Sequence, residues 1–227
     1  MTYVLVHGAM CGGWVWDDVA AKLRAADHDV CVVDQLPSGG ANPTQLGGLS
    51  DDAEHVRRLL DGIDNAVLVG HSYGGMVITE LADHPNVAHS LYLTAVWPRR
   101  GQSVDELYGG VLPRPIMRRA DGALQLTDDF EIAWDTFGRG LDRASAELMA
   151  SRFVLQSQAS WTDRSSAPER AHPTTYLIAT EETEAAVVAQ EASSKRADRV
   201  GRLPGAHMLM LNHADEVAAA LARVSIG

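Results

Sequence analysis

Cysteine is scarce: Cys11 and Cys31 are the only two in 227 residues. Two thiols build no disulfide framework and have no metal-ligand spacing, which argues against a stapled secreted fold and a zinc module. Basic residues are also few: 19 Lys and Arg against 30 Asp and Glu, a formal net charge of −11. A nucleic-acid binder carries a basic stripe. Here basic residues gather only in pairs such as Arg99-Arg100 and Arg118-Arg119, which read as solvated surface. No apolar run approaches the roughly 20 residues of a membrane span. The N-terminus runs straight into a strand-like segment, with neither a basic leader region nor a small-residue cleavage site. Internal repeats and low-complexity tracts are missing as well. These absences leave the expectation of a soluble, cytoplasmic protein with reduced thiols, monomeric or homodimeric, binding neither nucleic acid, membrane nor metal.

Strand and helix patterns alternate through the first part of the chain. Residues 3–8, 29–34, 65–70 and 90–96 are short apolar runs bounded by turn residues, as in strands buried on both faces. A helix is expected over about 15–26, a second with Ser50 as its N-cap, and a third from the turn after residue 70 to about Ala82. Such alternation implies right-handed crossovers and a parallel sheet. Between Pro98 and Pro173 the pattern changes to proline-punctuated helical patches near 128–138 and 143–155, with no clear strand. This region, 98–173, reads as a helical cap inserted into a core formed by 1–97 and 174–227. In the second core segment, strands are expected over 174–180 and 199–203, and helices near 184–195 and 214–224.

Gly70-His71-Ser72-Tyr73-Gly74 matches G-x-S-x-G where a buried strand meets a helix, the arrangement of a nucleophile elbow. The turn is so tight that side chains two before and two after the Ser would collide, hence the glycines. The bland alternative is a Ser opening a helix after a Gly-rich turn. A serine hydroxyl needs a base to take its proton, and the expected chain order is Ser, acid, His. His207 lies late, in a loop before the last helix. His213 reads better as a residue opening that helix, and His172 precedes the strand it would have to follow. Glu181, Glu182 and Glu184 crowd the loop where the acid belongs; any of them could equally be a carboxylate favoured at a helix N-terminus. A tetrahedral intermediate needs two N–H donors, one expected from Tyr73 and one from the His7-Gly8-Ala9 loop.

These segments carry a resemblance. HGAMCGGWVW at 7–16, GHSYGG at 70–75, YLIATEE at 176–182 and GAHMLML at 205–211 resemble the plant methylesterase and hydroxynitrile lyase branch of the α/β-hydrolases and its bacterial esterase relatives. The resemblance implies an α/β-hydrolase fold with a mostly parallel six-stranded sheet of order 2-1-3-4-5-6. It implies Ser72 as nucleophile, His207 as base, and Ala9 and Tyr73 as oxyanion donors. It points to Glu182 as the acid, at a position where the family carries Asp. The family's plant lyases carry Thr and Lys where this chain has Gly8 and Met208. The substrate pocket is expected to include Gly8, Met10, Trp97, Trp134 and Met208, with Met117, Phe137, Met149, Phe153 and Trp161 as further apolar residues of the cap. The expected activity is cofactor-free hydrolysis of a small or medium apolar carboxylic ester or lactone through an acyl-enzyme. The alternatives are a thioesterase or lyase on the same triad, or a ligand receptor that hydrolyses little.

Overall fold

The computed structural model describes residues 1–224. In chain order the elements are β1 (Thr2–Val6), α1 (Asp17–Ala25), β2 (Asp29–Val32), β3 (Gly39–Gly40), α2 (Leu49–Leu60), β4 (Ala66–His71), α3 (Gly74–Thr79) and β5 (Val87–Leu93). There follow α4 (Val104–Leu107), β6 (Ile116–Arg118), β7 (Leu124–Leu126), α5 (Phe130–Thr136), α6 (Arg143–Ser151), β8 (Leu155–Gln156) and α7 (Gln158–Thr162). The chain closes with β9 (Thr174–Ala179), α8 (Glu184–Ser194), β10 (Arg199–Leu203) and α9 (Ala214–Ala222).

Six strands form one sheet in the order β2-β1-β4-β5-β9-β10, every pairing parallel. Among the six core strands counted along the chain this is 2-1-3-4-5-6, as expected. The unbroken apolar runs are explained by burial on both faces. In β1, Tyr3 and Leu5 join Val67, Val69, Leu91 and Leu93 beneath α1 and α9, where Val19, Leu23, Val217 and Leu221 pack. Val4 and Val6 point the other way with Leu68, meeting Val56 and Leu60 of α2 and Met76 and Val77 of α3. The carboxyl ends of the strands thus face one rim, and on that rim the loops after β1, β4, β5, β9 and β10 converge.

The segment between β5 and β9 departs from the helical reading. It contains β6, β7 and β8, which join Gly39-Gly40 of the long loop after β2 in a four-stranded antiparallel sheet of order β3-β8-β7-β6. The region is mixed, and the core itself contributes one of its strands. Two helix boundaries also differ. Ser50 is not an N-cap: α2 begins at Leu49, the Gly48 N–H is taken by Asp51, and the Leu49 N–H is taken by the Asp163 carboxylate from the inserted region. The helix after the Ser72 turn ends at Thr79, three residues short of expectation.

Candidate active site

The turn between β4 and α3 places Ser72 at φ +52°, a left-handed conformation that non-glycine residues seldom hold. The glycines around it are needed by contact: a Cβ on Gly70 would lie 2.6 Å from the Gly74 carbonyl oxygen. Surroundings hold the turn in place, since the Ser72 carbonyl accepts from the Val96 and Gly75 N–H groups at 3.0 Å each. The hydroxyl of Ser72 projects to His207, with Oγ 3.0 Å from Nε2. On the other side of the imidazole, His207 Nδ1 lies 3.1 Å from Glu182 Oε1. The order from serine to carboxylate is therefore hydroxyl, imidazole, carboxylate, with Nδ1–H donating to Glu182 and Nε2 accepting from Ser72.

Of the three candidate acids, only Glu182 reaches the imidazole. Glu181 and Glu184 are exposed, and Thr183, not a glutamate side chain, caps α8. Two further donors meet at the same Glu182 oxygen: Thr94 Oγ1, and Gln190 Nε2 at 3.2 Å. Gln190 is itself oriented by the Ala179 N–H. Burial pushes the Glu182 carboxyl up, but electrostatic attraction to the His207 ring and hydrogen bonds from His207 and Thr94 outweigh it and hold the group below the usual glutamate range. His213 lies apart, 3.7 Å from Glu216, and His172 is buried against Ser90 at the far end of the sheet.

Two histidines near Ser72 are structural. His7 Nδ1–H donates to the Gly8 carbonyl at 2.8 Å, while Nε2 accepts from the Leu36 N–H at 3.2 Å. His71 Nε2–H donates to the His207 carbonyl at 2.9 Å, tying the loop that carries His207 to the Ser72 turn. Burial lowers His7 to about 4 and His71 well below the ordinary range, so both are neutral. Ala9 and Tyr73 line the same cavity as Ser72, and among the described residues neither backbone N–H is taken by an internal acceptor. Such a pair can receive an oxyanion.

A cavity of about 580 Å³ opens over Ser72. Gly8, Met10, Trp97 and Met208 line it, together with Phe137, Phe153 and Trp161 from the inserted region. Trp134 does not. It packs α5 on α6, its indole N–H donating to the Leu141 carbonyl at 3.3 Å and its ring lying under the Arg143 guanidinium. The helical spacing shared by Trp134 and Phe137 did not reveal that only Phe137 turns inward, to lie 5.5 Å from the His207 ring. Met117 is exposed and Met149 sits in the core beside α1 and α9. Trp97 stacks on Tyr92 at 4.1 Å and forms a flat wall of the cavity. Among the described residues, no group of three or more His, Cys, Asp or Glu is placed to hold a metal ion, and no helix is long and apolar enough to cross a membrane.

The buried histidines also set an acid limit on stability. His89 and His172 join His7 at about 4, in each case chiefly through burial. An unfolded imidazole titrates near 6.5. Between about pH 4 and 6.5 the unfolded chain therefore binds more protons than the fold, and stability falls as pH is lowered through that window. Asp52 opposes this. Burial raises it to about 6, so the fold binds a proton there that the unfolded chain does not. One carboxylate offsets one of several histidines. The melting temperature is expected to drop on the order of 10 °C between pH 7 and pH 4.5 in a thermal-shift series. A flat or rising curve would contradict neutral burial of these rings.

Known proteins share this architecture. The family model described as "Alpha/beta hydrolase family" matches residues 3–220. The chain is 34% identical over 175 residues to the carbendazim hydrolyzing esterase of Nocardioides sp. (strain SG-4G), an alignment spanning 74% of this chain and 68% of that protein. It is 30% identical over 126 residues to the polyneuridine aldehyde esterase of Rauvolfia serpentina, covering 51% of this chain and 47% of the relative. With Methylesterase 7 of Arabidopsis thaliana, 35% identity runs over 42% of this chain and 40% of the relative. Among solved structures, a crystal structure of polyneuridine aldehyde esterase superposes with a TM-score of 0.80 at 23% identity, covering 97% of each chain. A pyrethroid hydrolase from Sphingobium faniae JZ-2 superposes at 0.77 and 23% identity, over 98% of this chain and 96% of that one. These superpositions carry the fold, and the match of the family model along nearly the whole chain carries the membership: the chain belongs to the alpha/beta hydrolase family.

Proposed function

We propose that this protein is a serine esterase that cleaves a small or medium apolar carboxylic ester or lactone through an acyl-enzyme at Ser72. The observation that carries the reading is the continuous hydrogen-bond path from Ser72 Oγ through His207 to Glu182, opening into an apolar cavity. His207 Nε2 takes the Ser72 proton as Oγ attacks the ester carbonyl. Glu182 holds the imidazole in the tautomer that leaves Nε2 free, and stabilises the imidazolium that forms. The Ala9 and Tyr73 N–H groups receive the oxyanion. The imidazolium then protonates the leaving alcohol, and a water activated by the same nitrogen releases the acid. No step calls for a cofactor or a metal. The names of the relatives, an esterase of carbendazim and plant methylesterases among them, agree with ester chemistry. Free thiols at Cys11 and Cys31 suit a reducing cytoplasm.

Cyanohydrin cleavage on the same triad is disfavoured at two positions. A lyase of the resembling branch has a hydroxyl donor at the position of Gly8 and an ammonium at the position of Met208. Here a Cβ on residue 8 would stand 2.9 Å from Ser72 Cβ, so the site is shaped around its absence. Met208 is buried and offers no charge to a departing cyanide. Purified protein is expected to hydrolyse p-nitrophenyl butyrate readily, to take up a serine-directed phosphonate at Ser72 by peptide mass spectrometry, and to cleave mandelonitrile no faster than buffer. Mandelonitrile turnover without esterase activity would overturn the reading and leave the fold intact.

A further inference from the structure

Beneath the proposed oxyanion hole lies a polar network buried in the core and unused by the triad. The Tyr73 side chain is buried, and its phenol donates to Asp52 Oδ2 on α2 at 2.7 Å. The other carboxylate oxygen of Asp52 accepts from the Ser38 N–H at 2.8 Å. Gln156, in the inserted region, donates to Ser38 Oγ at 2.8 Å and to Ser160 Oγ at 2.7 Å. Its carbonyl oxygen accepts from the Met10 N–H at 2.9 Å. Asp52, Ser38 and Ser160 are wholly inaccessible, and Tyr73 and Gln156 nearly so.

A carboxylate with no solvent is costly unless its oxygens are matched, and this one sits where an apolar residue would pack more cheaply. What distinguishes the network is what it joins. Tyr73 follows Ser72, lines the cavity and has an N–H with no internal acceptor among the described residues. Met10 follows Ala9, which lines the same cavity and whose N–H is likewise without an internal acceptor there. Met10 is held at φ +61°, a left-handed conformation, with its N–H on Gln156 and its carbonyl accepting from the Val154 N–H at 2.9 Å. Both donor-bearing segments are thereby fastened to one buried set of side chains, and the inserted region supplies the fastening for the Ala9 side.

We propose that Asp52 and Gln156 are positioning residues for the oxyanion hole, fixing the Tyr73 and Ala9 N–H groups through Tyr73's phenol and the Met10 amide. This rests on the esterase reading above. Donors aimed at an oxyanion act only if they are already in place when charge develops. The network therefore contributes to turnover and little to the binding of neutral ester. Displacement of a donor by about 1 Å is worth on the order of 10²-fold in rate.

The test uses Tyr73→Phe and Gln156→Leu in the full chain. Each removes one tie and leaves the backbone N–H groups themselves in place. Rates are taken per active serine, counted by phosphonate titration. For p-nitrophenyl butyrate, kcat is expected to fall about 10- to 100-fold in each variant, with KM within about twofold of the parent. The inhibition constant for phenylboronic acid, whose serine adduct places an oxygen in the hole, is expected to rise by the same factor as kcat falls. A merely structural role would lower the melting temperature and the number of titratable sites without moving either quantity. If one variant does not fold, the other decides; if both fail, Asp52→Asn, which keeps an acceptor for the Ser38 N–H, is read the same way. Unchanged kcat and unchanged boronate affinity per active serine would overturn the proposal. A parent protein that neither turns over esters nor binds the boronate would instead overturn the esterase reading.

Discussion

Ser72→Ala is expected to lower kcat for p-nitrophenyl butyrate on the order of 10⁶-fold, and His207→Ala by a similar factor. Together they should cost scarcely more than either alone. The reason is the single hydrogen bond between them, 3.0 Å from Oγ to Nε2. Without the imidazole, the hydroxyl has no acceptor for its proton; without the hydroxyl, the imidazole has nothing to activate. Neither change should disturb the fold. The turn is held by the Ser72 carbonyl, by Gly70 and by Gly74, none of which is altered by losing Oγ. The melting temperature of Ser72→Ala should therefore stay close to the parent's while the activity disappears. What remains comes from the cavity and the two N–H donors, which still bind ester and polarise its carbonyl. Esterase turnover within an order of magnitude of the parent in a verified Ser72→Ala preparation would exclude Ser72 as nucleophile.

The strands were legible because they obey simple rules, and their order came only with the family resemblance. Residues Tyr3-Val4-Leu5-Val6 are apolar without alternation, and the structure buries both faces of β1. The residues flanking Ser72 were legible because one backbone conformation forces both glycines. Legibility ended where contact depends on long-range closure. Gly39-Gly40 has no periodicity and no side chain to mark it as a strand, yet it pairs with β8 more than a hundred residues later. Ser50 is of a type that caps helices, yet the N-cap is Gly48, and the first helical N–H is taken by Asp163, more than a hundred residues later. Trp134 and Phe137 share a helical stripe, and only the position of α6 decides which faces the cavity. Thr94 and Gln190 are ordinary polar residues in the sequence. They become partners of Glu182 only when β5 and β9 pair and α8 folds back over them. Asp52 looks like any acidic residue in the first turn of a helix; its burial under Tyr73 follows from the packing of α2 on α3.

Those same partners shape what removal of the acid should do. Glu182→Ala is expected to cost on the order of 10⁴-fold in kcat, less than loss of Ser72, because the acid orients and stabilises without reacting. Glu182→Gln would ordinarily be as damaging. An amide NH₂ facing Nδ1 would invert the imidazole tautomer, leaving Nε2–H pointing at the serine. Here three donors meet at one carboxylate oxygen: His207 Nδ1–H, Thr94 Oγ1–H and Gln190 Nε2–H. An amide in that place is driven to put its oxygen, not its nitrogen, among them. The tautomer survives, and what is lost is the negative charge that stabilises the imidazolium. Glu182→Gln is therefore expected to lose about 10³-fold, an order of magnitude less than Glu182→Ala. Adding Thr94→Val to Glu182→Gln removes one of the donors that hold the amide oxygen in place. The double variant should fall toward the alanine level, and Thr94→Val alone should cost far less. Side-chain ¹⁵N and imidazole NMR of Glu182→Gln gives an independent reading, with Nδ1 expected to be the protonated nitrogen. An Nε2–H tautomer in that variant, or full activity in Glu182→Ala, would show that Glu182 does not orient the base in this way.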